Sequence, residues 1–208
     1  MGSALLGDSS RPGPRKIAPM HGRARRHLQA ATAILHDTVE RHFAPGRMTR
    51  AAYIRYLTMN RPLASIEPAL EAAQIRCVLP DWDMRRRRFV LASDLRTMGI
   101  STAETRAIFI SDDLGTLLGW SYVLEGSRLG ARAIFKAIAS TGDQELIGAT
   151  RFLRHGVEMA LWTTFTAALS RIDNDPSAIE CACKAASAAF NHFNDAAKIS
   201  QPPLVSHS

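Results

Sequence analysis

The stretch LGWSYVLEGSRLGARAIFK, residues 118–136, limits the fold more than any other part of the chain. It is apolar, lacks proline and is long enough for a helix that spans a domain. Yet Gly119, Gly126 and Gly130 lie inside it, and Gly115 stands just upstream. An interior glycine weakens a helix by about 1 kcal/mol relative to alanine. At 100° per residue the four glycines fall within about 60° of arc, so they form one bare stripe. A face without side chains admits something close to the backbone. Two kinds of object use such a face, a second helix or a flat cofactor. Spacing alone leaves both open.

The remaining patterns are helical as well. From Arg25 to Phe43, apolar residues recur at Leu28, Ala31, Leu35 and Val39, the period of a helix. Thr49 can cap a second helix carrying Tyr53, Ile54 and Leu57. Pro62 opens a segment through Leu63, Ile66 and Leu70, and Pro80 turns the chain. Residues 84–98 form an amphipathic stretch stopped by Gly99, and Ser101 with Glu104 has capping-box spacing. The glycine-bearing helix is expected over about 113–140, with further helices near 143–155, 156–171 and 176–198. No alternating strand pattern and no internal repeat occurs. The fold class expected is all-α, a single compact multi-helix bundle over residues 25–198. Residues 1–24, rich in Gly, Pro, Ser and Arg, read as a disordered leader, and 199–208 as a flexible tail.

Composition narrows the class. The chain has 208 residues, 46% of them hydrophobic, enough for one domain with a sizeable core. No apolar run reaches the roughly 20 residues that cross a bilayer, and the start lacks the apolar segment of a secretory signal. Cys77, Cys181 and Cys183 match no CxxC or disulfide pattern. A reducing, cytoplasmic location is therefore expected, with no membrane partner. The net charge of +7 sits largely in the leader and in the run Arg85-Arg86-Arg87-Arg88. No aromatics interleave it and no nucleic-acid motif accompanies it, so nucleic acid is not expected as a partner. The run reads as a solvated helix end, or as a docking face for an acidic protein.

A second site lies in the first helix, LQAATAILHDTVER. His36 shares a face with Thr32 and Phe43, and Glu40 follows one turn later. A lone histidine on such a face is commonly a satisfied core residue. A neutral imidazole is also a common iron ligand, and ligand histidines use their second nitrogen on a carboxylate, a carbonyl or water. Glu40 stands where it can orient the ring. Gln29 and Arg25 fall near the same stripe, where a planar cofactor with anionic edges can be gripped. Helical bundles also carry di-iron sites, for which His36 with Glu40, His155 with Glu158, Glu67, Glu71 and Asp195 are the available donors. No repeated Glu-x-x-His is present.

With both stretches in view, the chain resembles the bacterial heme oxygenases of iron acquisition and biliverdin supply. The resemblance rests on Thr32-x-x-x-His36 followed by Glu40. It rests also on Gly119-Trp120-Ser121-Tyr122-Val123-Leu124-Glu125-Gly126-Ser127-Arg128-Leu129-Gly130-Ala131. Weaker likeness extends through Tyr53-Ile54-Arg55-Tyr56-Leu57, Asp94-Leu95-Arg96-Thr97-Met98-Gly99 and Trp162-Thr163-Thr164-Phe165. It implies oxidative opening of heme to biliverdin with release of CO and ferrous iron. Heme would be both substrate and cofactor, and O2 and an external electron donor, such as a ferredoxin with its reductase, would complete the reaction. A bilin-binding photoreceptor would be a consumer of the product.

The same resemblance assigns residues. His36 would ligate the iron, with Glu40 behind it. Gly126, Ser127, Gly130 and Ala131 would form the distal wall, the glycines letting the helix kink over the heme. Tyr122 and Phe135 would line it. At Gln29 the family often has a Lys or Arg that pairs with a propionate, a stronger contact than glutamine makes; Arg25, Arg26 or Lys136 are the candidates to replace it. The alternative within the same fold is a heme-binding sensor or carrier that does not degrade its ligand. Trp120, Phe135 and Trp162 also suit simple core packing. His21, His27, His42, His192 and His207 read as surface or leader residues.

Overall fold

The computed structural model describes residues 22–41, 48–102, 106–156 and 159–199. Among these there are ten α-helices and no strand. They are α1 (Arg23–Arg41), α2 (Arg50–Met59), α3 (Leu63–Ala72), α4 (Trp82–Arg85), α5 (Arg88–Thr97), α6 (Leu114–Ala139), α7 (Gln144–Gly148), α8 (Arg151–Arg154), α9 (Leu161–Leu169) and α10 (Pro176–Ile199). The all-α expectation holds. No described helix is long and apolar enough to cross a membrane.

The frame is α1, α6 and α10. Helix α6 presents Leu117, Leu118, Trp120, Val123 and Leu124 to the core, and α10 meets it with small residues, Ala182, Ala185, Ala186 and Ala189. Thr49 caps α2 through the Ala52 amide at 3.1 Å, and Asp113 caps α6 through Thr116 at 2.8 Å. Each satisfies a first-turn N–H that has no intrahelical partner.

Three other helices borrow their cap from a distant buried carboxylate. Asp173 accepts from Gly22 and Ala24 at the start of α1, both at 2.8 Å. Glu67 accepts from the Arg87 and Arg88 amides at 2.7 and 3.1 Å and so starts α5. Asp94 accepts from the Phe152 amide in α8 at 2.7 Å. These caps explain where the expected helices divide. The stretch expected over 84–98 breaks at Arg86 and Arg87 because Glu67 pulls both following amides to itself. That expected over 143–155 splits into α7 and α8 around Ala149 and Thr150. The capping box at Ser101 starts no helix among the described residues, and Glu104 lies outside them, as do His21, His42, Phe43, Glu158 and His207.

Candidate functional site

The glycine stripe serves two ends. A Cβ at Gly115 or Gly119 would collide with the carbonyl oxygens of Ala178 and Ala182 on α10, and at Gly119 it would also lie 2.8 Å from the Ala185 Cβ. Real Cβ atoms do not approach so closely, so this half of the stripe is a helix–helix contact. At Gly126 and Gly130 a Cβ would meet no described atom within 4 Å. Helix α6 continues as one helix through both, and Gly130 faces solvent. The bare backbone there is free to face something flat.

Helix α1 supplies the opposite element. Its first half is buried through Ala24, Leu28 and Thr32, whereas His36 and Glu40 are exposed. Thr32 donates to the Leu28 carbonyl at 2.8 Å and is a hydrogen-bonding neighbour of the Tyr122 hydroxyl, whose pKa burial pushes up. One turn further along each helix stand His36 and Gly126. Gly115 against Ala178 and Gly119 against Ala182 advance α6 and α10 together, which carries Gly126 to the level of Ala189. The His36 ring lies edge-on to Phe190, centroids 6.2 Å apart. Both residues thus stand at one level of the bundle beside α10. The Nδ1 atom of His36 lies 3.7 Å from Glu40 Oε1, which leaves Nε2, across the ring, as the nitrogen directed away from the carboxylate. An imidazole so oriented, with a Cβ-free helix face at its level, suits a planar iron-bearing ring system.

The other expected residues divide. Tyr122 is half-buried, its ring 6.3 Å from Trp162, over which the Arg25 guanidinium sits at 5.5 Å. Gln29 is exposed, as are Arg26 and Lys136. Phe135 is half-buried with Arg154 at 5.9 Å from its ring. Ala131 belongs to the core, at 2% exposure. Trp120 is in the core too, its ring tilted against that of His192 with centroids 5.5 Å apart, and His192 is half-buried rather than a surface residue.

The arginine run is not a solvated helix end. Arg85 and Arg87 are each only 2% exposed. Arg85 forms ion pairs with Asp81 at 2.7 Å and Glu125 at 3.0 Å, and Glu125 also holds Arg128 at 3.0 Å. Arg88 pairs with Glu71 at 2.8 Å. Arg86 and Arg88 are partly exposed, and Arg86 pairs with Asp83 at 3.1 Å. Charge count along the sequence could not reveal this, since the acids come from α3, α4 and α6. Arg128 also donates to the Arg85 carbonyl. Burial lowers its pKa to about 10.

The network bears directly on Ser127. Arg87 donates to the Ser127 hydroxyl at 2.6 Å and to the Leu124 carbonyl at 2.8 Å, while Ser127 itself donates to Leu124 at 2.7 Å. The serine proton is therefore engaged within α6. The di-iron donors are dispersed, most of them beside cations. Glu67 and Glu71 face arginines, Asp195 pairs with Lys198, and the ring of His155 faces Arg128 at 3.3 Å.

Comparison with known proteins identifies the family and the fold. The heme oxygenase family profile matches residues 92–198. The chain is 32% identical over 133 residues to heme oxygenase PigA of Pseudomonas aeruginosa, covering 62% of this chain and 67% of that one. The fold matches the crystal structure of the NO- and CO-bound heme oxygenase from Neisseria meningitidis with a TM-score of 0.68. Their identity is 22%, and the match covers 85% of this chain and 90% of the other. Through the profile over α5 to α10, and a relative sharing its sequence over most of both chains, this protein belongs to the heme oxygenase family.

Proposed function

We propose that this chain performs the family's reaction, the oxidative degradation of heme, at the face between His36 and the Gly126–Gly130 segment. The observation that carries the assignment is the exposed His36 ring, with Glu40 Oε1 3.7 Å from its Nδ1. Nε2 would hold the iron, and Glu40 would keep the imidazole in the tautomer that presents Nε2. When bound, heme supplies both the iron that activates O2 and the meso carbon that is attacked. The chain's part is to seat and orient the ring. Gly126 and Gly130 let α6 approach it without side-chain clash, and Arg87 holds the Leu124 carbonyl and the Ser127 hydroxyl in place at the start of that segment. Tyr122 and Thr32 close the inner end of the face. Gln29, with Arg25 above Trp162, lies toward the edge where propionates would reach. Electrons would come from an external donor such as a ferredoxin, and the setting would be cytoplasmic.

The test is optical. Hemin added to the purified protein should form a one-to-one complex. Ascorbate or a ferredoxin–reductase pair in air should then replace the heme band with biliverdin and release ferrous iron. His36→Ala should change the iron absorption and collapse turnover, and a bulky residue at Gly130 should block uptake. Heme that persists under both donors would make the chain a carrier rather than an enzyme.

A further inference from the structure

We propose that His36, Asp37 and Glu40 form a divalent-cation site that excludes heme while it is filled, a place for the ferrous product to pause as it leaves. The exclusion rests on the heme reading above; the site itself does not. One ligand atom from each of the three residues lies within 4.8 Å of the other two, and all three side chains are exposed. Two donors on one metal ion, each at about 2.1 Å, stand at most about 4.2 Å apart. Small rotations of exposed side chains therefore close the set. Helical geometry supplies the register, because His36 and Glu40 are one turn apart on one face. Asp37, with no ion pair among the described residues, adds the third donor.

The donor chemistry selects the ion. One imidazole and two carboxylates suit borderline divalent metals such as Fe2+, Co2+ and Zn2+, and two negative charges balance the ion's own. Solvent can complete the shell at so open a site. Exclusion follows from counting lone pairs. A neutral imidazole has one acceptor nitrogen and one N–H. With heme on Nε2, Nδ1 carries the proton and gives it to Glu40. With a cation between Nδ1 and Glu40, the proton moves to Nε2 and the iron ligand is gone. Iron set free from an opened ring beside His36 thus meets two hard oxygen donors within reach. As long as it stays there, a second heme cannot bind.

The test titrates Co2+, an optical substitute for Fe2+, into the full-length heme-free protein and into the same protein carrying one equivalent of hemin. One Co2+ per chain is expected in the first case and none in the second, and added Co2+ should raise the apparent Kd for hemin. His36→Ala should abolish Co2+ binding. Asp37→Asn should weaken it at least about tenfold, a loss that even outer partners of a metal produce, while hemin affinity stays at the wild-type value. Binding that Asp37→Asn leaves unchanged, or a complex holding hemin and Co2+ together, overturns the proposal. Co2+ held on these residues by a protein that takes up no hemin keeps the cation site and sinks the heme reading. Hemin uptake with no Co2+ binding does the reverse.

Discussion

Helix α6 contains the same device twice with opposite results. At Gly115 and Gly119 the missing side chain is filled by another helix, so closely that α10 carbonyls stand where a Cβ would be. At Gly126 and Gly130 the identical spacing faces no described atom within 4 Å. The difference lies not in α6 but in what opposes it. Ala178, Ala182 and Ala185 recur on α10 at the period needed to receive the first pair. The second pair has no such partner among the described residues, and the outer half of α1 leaves His36 and Glu40 exposed. A small-residue stripe is thus a permission for close approach, and the opposing element decides whether the approach is packing or binding.

The largest break in this contrast should come at the junction of the two halves. Glu125 is 1% exposed and holds Arg85 and Arg128, both at 3.0 Å. Its removal leaves two largely buried guanidinium groups without that partner. Glu125→Ala should cost about 3–5 kcal/mol, the loss expected when one member of a buried ion pair is deleted, as read by urea denaturation. A cost below about 1 kcal/mol, the range of surface pairs, would show that the cluster is solvated after all.

The next test sets one half against the other. Gly119→Ala should destabilise by about 2 kcal/mol, because overpacking against the α10 backbone exceeds the gain in helix propensity. Gly130→Ala meets no such obstacle and should stabilise the heme-free protein by up to about 1 kcal/mol. Measured by thermal unfolding, the two should move in opposite directions. If Gly130→Ala also destabilises, the outer half of α6 is packed and the binding face is misplaced.

The sequence was informative where the signal is local and poor where it is a pairing. Period, proline and Thr49 or Asp113 caps gave the helices and the bundle, and the glycine run with the Thr32–His36 spacing supplied the residues of the proposed site. The stripe's division was missed, although the alanine series on α10 was there to suggest it. The fate of the arginines was out of reach. Glu67, Asp94 and Asp173 cap helices 20, 58 and 149 residues away, and nothing at Arg87 or Thr150 announces a borrowed cap. Buried ion pairs assembled from four helices leave no periodic trace, so the run read as surface charge.

The smallest expected effect probes the sealed side of α6 through His155. Its ring is half-buried, with Arg128 Nη1 3.3 Å from Nδ1. Burial first, and then the neighbouring Arg128 and Arg87 charges, lower its pKa from 6.5 to about 4. In the unfolded chain the imidazole takes its proton near the ordinary value, whereas in the fold it stays neutral until about pH 4. Between the two the unfolded state binds more protons, so stability rises with pH across this window and is lost as pH falls through it. Glu67 and Asp94, raised by burial, act with the opposite sign. Their folded forms keep protons above the ordinary carboxylate range, which favours the fold as pH drops there. Comparing wild type with His155→Gln cancels both carboxylates. The variant should lose less stability than wild type between pH 6.5 and 4 in parallel denaturant titrations. Superimposable acid limbs would mean that His155 can leave Arg128 and take a proton, so that this edge of the charge cluster opens without unfolding.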